Sequence, residues 1–284
     1  MLTLAGHPRD LGGGFTVRRI LPSAAKQGVG PFLFFDHFGP LEVPADANHD
    51  VRPHPHIGIA TVTYLFEGAI MHRDSVGSVQ RIEPDAINWM TAGRGIVHSE
   101  RTPADLRGVA HRAHGLQLWA ALPLADEETL PAFDHYPAAT LPEFTQAGIR
   151  GRVLIGSAYA LSSPVRTFSA TLYVDVIAAP GASLVVPPLA EELAIYAVEG
   201  PIHVDGTEFA PQTMVVLDSN RVATVQALAG ARFMLVGGAP IGARRHMVWN
   251  FVSSRVERIE QAKADWAAQR IGMIEGETEW IPFP

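Results

Sequence analysis

Two short alternating pieces, His54-Pro55-His56 and His98-Ser99-Glu100, constrain this chain more than any other feature of it. In a β-strand, residues i and i+2 point to the same face. Each piece therefore presents two donor groups to one side of a sheet. If the two strands lie side by side, His54, His56, His98 and Glu100 converge on one point. Three imidazoles and one carboxylate then form a divalent-metal site. With 12 histidines in the chain, a single His-x-His arises readily by chance as ordinary strand-end polarity. A His-x-His matched by a His-x-Glu on a second strand does so far less readily.

The rest of the chain is what such a site needs around it. A length of 284 residues suits about two domains. A hydrophobic content of 47% provides for a large core. The net charge of −7 argues against direct nucleic-acid binding, which needs a basic patch, and favours a protein as any macromolecular partner. There is no cysteine, so disulfides, zinc–thiolate sites and a thiol nucleophile are excluded. The start, MLTLAGHPRDLGGGF, lacks a basic residue followed by an apolar run, and no stretch resembles a membrane helix. The expectation is a cytoplasmic protein without a membrane partner.

Before residue 120 no segment sustains a 3.6-residue apolar period, and short β-rich runs alternate with turn residues. A turn is expected at Gly12-Gly13-Gly14 and an edge strand over 15–20. A buried strand over 32–38 is stopped by Gly39-Pro40, and an irregular loop spans 40–53. Strands are expected over 61–66, 80–82, 86–91, 96–100 and 116–119. His37 is expected to be a hydrogen-bonded strand histidine and His72-Arg73-Asp74 a surface cluster. His111 and His114 lie on no evident element and make a weak candidate for a second site. Arg94, between two glycines, is a candidate for orienting an anionic substrate. Phe35, Phe38, Met90 and Trp119 line either an aromatic pocket or the core, with core favoured. Residues 126–144 read as a connector.

The second half repeats the pattern, with strands expected near 153–155, 172–178, 193–198, 214–217, 222–228 and 233–236. Leu65-Phe66-Glu67-Gly68 matches Ala197-Val198-Glu199-Gly200, and Glu83-Pro84-Asp85 matches Ala210-Pro211-Gln212. At the ligand offsets, the second copy has Val186, Pro188, Val225 and Ala227. If the repeat is real, one copy is expected to bind metal and the other to be a structural or gating partner. Ser254 and Glu257 form a capping-box pattern before Val256, Ile259, Ala262 and Trp266, so a helix is expected over about 254–270. The tail EWIPFP is expected to dock on the body.

The stretches FLFFDHFGP, RPHPHIGIATVTYLFEG, HRDSVGS, WMTAGRGIVHSE, EELAIYAVEGPIHVDG and WNFVSSRVERIEQAKADW resemble the pirin family over nearly the whole chain. The resemblance implies an all-β bicupin of two stacked jelly-roll barrels with a C-terminal α-helix. The domains would be 1–130 (metal-binding), 131–253 (lacking the ligands) and 254–284 (helix and tail packed on the body). It carries the metal ligands onto His54, His56, His98 and Glu100. It implies Fe(II), while ligand type alone leaves Mn, Co, Ni, Cu and Zn open. It further implies a flavonol dioxygenase that opens quercetin or a related small aromatic with release of carbon monoxide, Glu100 being the catalytic base. The alternative it implies is an iron-dependent regulatory module that binds a protein partner without turnover. One position departs: many pirins carry glutamate where this chain has Ala60, which changes the polarity around the metal.

Overall fold

The computed structural model describes residues 1–10 and 15–284. The turn expected at Gly12-Gly13-Gly14 lies outside the described residues. The first half forms β1 (Leu2–Ala5), β2 (His7–Asp10), β3 (Thr16–Leu21), β4 (Phe32–Val43), β5 (Val51–His56) and β6 (Ile59–Glu67). It continues with β7 (Ile70–Asp74), β8 (Val79–Ile82), β9 (Ile87–Thr91), β10 (Ile96–Arg101), β11 (His111–Ala121) and β12 (Ala132–Tyr136). The second half forms β13 (Glu143–Gln146), β14 (Ile149–Ile155), β15 (Ser157–Ala158), β16 (Leu161–Ser162), β17 (Thr171–Ala178) and β18 (Ala182–Val186). Then follow β19 (Glu192–Glu199), β20 (Ile202–Val204), β21 (Thr207–Phe209), β22 (Thr213–Val216), β23 (Ala223–Ala227) and β24 (Ala231–Gly238). The hairpin β25 (His246–Val248) and β26 (Phe251–Ser253) leads into α1 (Val256–Ala267).

The all-β class with one C-terminal helix holds, and the internal repeat is visible strand by strand. One seven-stranded sheet has the order β12-β9-β6-β11-β4-β3-β2, the other β1-β22-β19-β24-β17-β14-β13. Two four-stranded sheets match likewise, β5-β10-β7-β8 against β18-β23-β20-β21. Even an irregularity recurs: the register shifts beside Glu67 in β6 and beside Glu199 in β19. The hydrogen-bonded ladders do not close into barrels; each module is one large and one small sheet. The first strand of each repeat, β1 or β12, is hydrogen-bonded into the other repeat's large sheet, β1 against β22 and β12 against β9.

By compactness the chain divides into two units. One comprises Met1–Pro8, Arg18–Asp36 and Tyr136–Pro240; the other comprises Arg9–Val17, His37–His135 and Ile241–Pro284. The helix and tail thus belong with His54, His56 and His98. Their apolar residues Ile259, Ala262, Trp266 and Ile274 pack with Ile57 and Val97, which flank the ligand pieces. β5 and β10 are consequently buried on both faces around the ligands. Their counterpart β18 alternates strictly, with Ala182, Leu184 and Val186 inside and Ser183 and Val185 exposed.

Several expected boundaries move. The strand over 15–20 is not the edge, because β2 lies outside β3. The strand from Phe32 does not stop at Gly39-Pro40 but runs on to Val43. Gly39 has φ +78°, and a Cβ there would stand 2.2 Å from the Ala113 carbonyl oxygen, so only glycine lets β4 pass this point. The first part of the expected 40–53 loop is therefore strand, and its end is the start of β5. The 126–144 connector contains β12 and the start of β13.

The helix is shorter than expected, Val256–Ala267, and the Ser254–Glu257 capping box does not form. Ser254 instead donates its backbone N–H and its hydroxyl to the Glu127 carboxylate. Of the expected stripe, Ile259, Ala262 and Trp266 are buried and Val256 is exposed. The tail docks through Ile281, whose N–H donates to the Pro53 carbonyl, and through Phe283, stacked on Phe251. Trp280 stays largely exposed.

Candidate metal centre

β5 and β10 are antiparallel neighbours in the small sheet of the first module, with His98 opposite His54 and Ile96 opposite His56. The juxtaposition that alternation only permitted is therefore made. His54, His56 and His98 are 7%, 2% and 2% exposed. Their ligand atoms lie within 4.8 Å of one another, and among the described residues they are the one group of this kind. The Nε2 atoms of His56 and His98 face each other at 3.1 Å. His54 donates Nδ1–H to the Arg52 carbonyl at 2.9 Å, which fixes its tautomer and leaves Nε2 as the lone-pair donor.

Burial pushes the His54 imidazole down to about pKa 4, and burial followed by the neighbouring imidazoles pushes His56 and His98 well below the usual histidine value. Three neutral, buried, convergent imidazoles are what a divalent first-row metal takes as ligands, so the residues fit a bound metal ion. Imidazole donors accept Fe, Mn, Co, Ni, Cu or Zn.

Glu100 stands outside the three-histidine group. The register of β10 shifts against β5 between His98 and Glu100 but runs evenly against β7, with His98 opposite Asp74 and Glu100 opposite His72, so Glu100 shares the face of His98. Burial raises its carboxyl pKa, while His72 and a hydrogen bond with Thr63 oppose the rise. Thr63 in turn donates to Gln117 Oε1 at 2.8 Å.

His72 and Asp74 are not a surface cluster. Both are buried on β7, paired in register with Glu100 and His98 respectively. His72 Nε2 donates to Asp74 Oδ2 at 2.9 Å, and Asp74 Oδ1 accepts the Val76 and Ser78 N–H groups. Phe133 stacks on the His72 ring at 4.2 Å. A surface motif and a buried one look alike in sequence here, because His72 and Asp74 flank the half-buried Arg73.

Other expected residues fall elsewhere. His111 and His114 do lie on an element, β11, but do not face each other as a metal pair. His114 instead meets His37, Nε2 to Nε2 at 2.7 Å, so His37 is the hydrogen-bonded strand histidine expected of it. Phe35 packs on Tyr196 and Phe38 on Phe15, both as core. Met90 is buried, and Trp119 meets His56 edge-on at 5.1 Å. Arg94 is exposed and held through its backbone, its N–H donating to the Thr129 carbonyl. Ala60 is buried on β6 and by alternation faces away from Thr61 and Thr63.

Residues 14–120 match the family model for pirin, and residues 173–272 match the pirin C-terminal cupin domain. The chain is 45% identical to a pirin-like protein of Caulobacter vibrioides over 287 residues, covering 100% of this chain and 99% of that one. It is 30% identical to human pirin over 285 residues, 98% of this chain and 95% of that one. Its fold is similar to the crystal structure of quercetin 2,3-dioxygenase from Acinetobacter baumannii, with TM-score 0.93, 35% identity, and coverage of 100% of this chain and 94% of that one. The repeated module, the buried three-histidine cluster and these matches agree, and the chain belongs to the pirin family.

Proposed function

We propose that this chain is a non-haem iron dioxygenase acting on a flavonol or a related small aromatic, with Glu100 as fourth ligand and catalytic base. The observation that carries the proposal is the buried cluster of three neutral imidazoles in a module whose interior is polar beyond the cluster itself. A quercetin 2,3-dioxygenase among the structures similar to this chain supports the substrate class. When bound, the iron supplies Lewis acidity toward the flavonol hydroxyl and an electron path to dioxygen.

The chain's own residues supply the rest. His54, His56 and His98 stay unprotonated at neutral pH, because burial disfavours the imidazolium, and so keep their lone pairs available. The Glu100 carboxylate takes the proton of the flavonol hydroxyl at Oε; its pKa, raised by burial, makes it a better acceptor than an exposed carboxylate. Thr63 sits beside that carboxylate. Trp119 and Phe133, beside His56 and His72, keep water from the cluster.

Oxygen uptake and carbon monoxide release, measured with iron-loaded protein and quercetin in air, test the proposal. Turnover is expected in the wild type and a loss of about a hundredfold or more in Glu100→Ala, the usual scale for a general base. No uptake by protein with a filled, redox-active iron site overturns the activity. Unchanged turnover in Glu100→Ala removes that residue from the mechanism.

A further inference from the structure

The interior of the first module holds more polar groups than a metal ion needs. Asn88 on β9, Thr63 on β6 and Gln117 on β11 lie directly across from one another on three adjacent strands. They form a polar row over the large sheet. Thr63, whose hydroxyl hydrogen goes to Gln117 Oε1, sits beside the Glu100 carboxylate and so brings the row up to it. At the other end Asn88 is 2% exposed, and its Oδ1 accepts Nδ1–H of the half-buried His135 at 2.7 Å. Its Nδ2 is buried with no partner. Turning the amide over would exchange donor for acceptor and still leave one atom unpaired.

A buried amide group without a partner opposes folding, and native structures hold few of them. The fold itself does not call for one. In the second module the same row, fixed by strand order and by the shared register shift, is Val215, Ile195 and Leu235. All three belong to its apolar core. The row in the first module thus answers to something that module binds. Aromatic rings flank this interior, Phe133 on His72 and Trp119 against His56, and they suit a planar ligand.

We infer, resting on the flavonol proposal above, that Asn88, with Thr63 and Gln117, reads the oxygenation of the substrate's rings: the free Asn88 N–H donates to a ring oxygen not engaged at the metal. Asn88 is then a specificity-determining residue that touches substrate, and Thr63 and Gln117 set the polarity of the row.

The test is an anaerobic titration of metal-loaded protein with quercetin and with 3-hydroxyflavone, which lacks the ring hydroxyls, followed by the flavonol absorption band. Wild type is expected to favour quercetin by about three- to tenfold, the worth of one neutral hydrogen bond. Asn88→Val, which installs the second module's residue, is expected to bring the ratio close to one while the metal dissociation constant, measured against a chelator, stays put. Asn88→Leu keeps most of the volume and removes both donor and acceptor, and is expected to do the same; it carries the test if Asn88→Val does not fold. A preference that survives both substitutions, or equal binding of both flavonols by wild type, overturns the role of Asn88 and leaves the flavonol proposal standing. No binding of either flavonol by wild type overturns both.

Discussion

The two modules of this chain share strand order, and their large sheets share even a register shift, yet their interiors are chemical opposites. In the first, the inward positions are His54, His56, Thr63, His72, Asp74, Asn88, His98, Glu100 and Gln117. By register, the second has Leu184, Val186, Ile195, Ile202, Val204, Val215, Val225, Ala227 and Leu235, and every one of them belongs to a single apolar core. The backs of the small sheets differ too. Ser99 is fully buried and donates to Glu277 of the tail at 2.5 Å, whereas its counterpart Gln226 is exposed. The comparison separates two demands. The fold asks only that these positions be small enough or apolar enough to pack. The polar set in the first module answers to function, and the helix and tail provide a second layer behind the strands that carry it.

The largest effect follows from making the first module like the second. His98→Val, alone or with His54→Leu and His56→Val, is expected to lower metal affinity by more than the roughly ten- to hundredfold lost when only a supporting neighbour is removed. Metal content after dialysis against a graded chelator measures it. The metal-free triple variant is expected to be at least as stable to urea as the metal-free wild type, because apolar side chains replace buried imidazoles, of which His98 leaves its Nδ1 without a partner. Retained metal in the triple variant would sever the cluster from metal binding altogether.

The reverse exchange has the next largest effect. Val225→His places an imidazole in the apolar core of the second module with nothing to pair it. Desolvation and overpacking together are expected to cost about 2–4 kcal/mol in urea unfolding. A cost near zero would mean that the second interior can hydrate, and the contrast between the modules would then be one of sequence rather than of environment.

How much of this was visible beforehand depends on whether a residue's face can be deduced. His54, His56 and His98 were legible because i, i+2 spacing fixes their relative direction without knowledge of the fold. The second copy's Val225 and Ala227 were legible for the same reason, since thirteen residues separate both Asp85 from His98 and Gln212 from Val225. Val186 and Pro188 were misaligned as counterparts of His54 and His56. The loop after β18 runs over residues 187–191, while only residues 57 and 58 follow β5, so the true counterparts are Leu184 and Val186. Thr63, Asn88 and Gln117 were not legible. Each is one polar residue in a strand, and only the pairing of β9, β6 and β11 brings them into a row. β12 was missed because its alternation is weak and its pairing partner, β9, lies more than forty residues back in the chain.

A smaller effect concerns the tail. Arg101, next to Glu100, pairs with Asp50 before β5 and with Glu277 and Glu279 of the tail. Arg101→Ala leaves the part-buried Glu277 without its cation, while Asp50 keeps Arg107 and Glu279 is exposed, and is expected to cost about 1–3 kcal/mol, less than a fully buried pair would. Faster hydrogen exchange is expected around residues 274–281 and along β5, with β18 and β23 unchanged. Equal loosening of both small sheets would mean that the tail is not a local brace for the ligand strands.

The smallest effect is the response to acid. Burial opposes ionisation of Asp74, Glu277 and Asp50, yet all three are held below their ordinary values by hydrogen bonds: from His72 and Ser78 to Asp74, from Arg101 and Ser99 to Glu277, and from Arg107 and Thr102 to Asp50. A carboxyl whose folded pKa lies below its unfolded value adds stability that is fully present above the unfolded value and is lost as pH falls through the folded one. The unfolded values are near 3.8 for Asp and 4.5 for Glu, so the loss belongs below about pH 4.5. These three groups surround the first module's small sheet. In the second module Asp205 and Asp218 are also lowered, Asp205 by the Thr224 N–H and then Arg221, Asp218 by the N-terminal ammonium and then Arg221, but these exposed pairs are solvent-screened and contribute little. Amides of β5, β7 and β10 are therefore expected to lose exchange protection between pH 4.5 and 3 before those of β18, β20 and β23. Asp74→Asn should be less stable than wild type at pH 7 and show a shallower decline below pH 4.5. If both small sheets lose protection together in the wild type, acid is titrating the chain as a whole, and the difference between the two interiors does not extend to the charges around them.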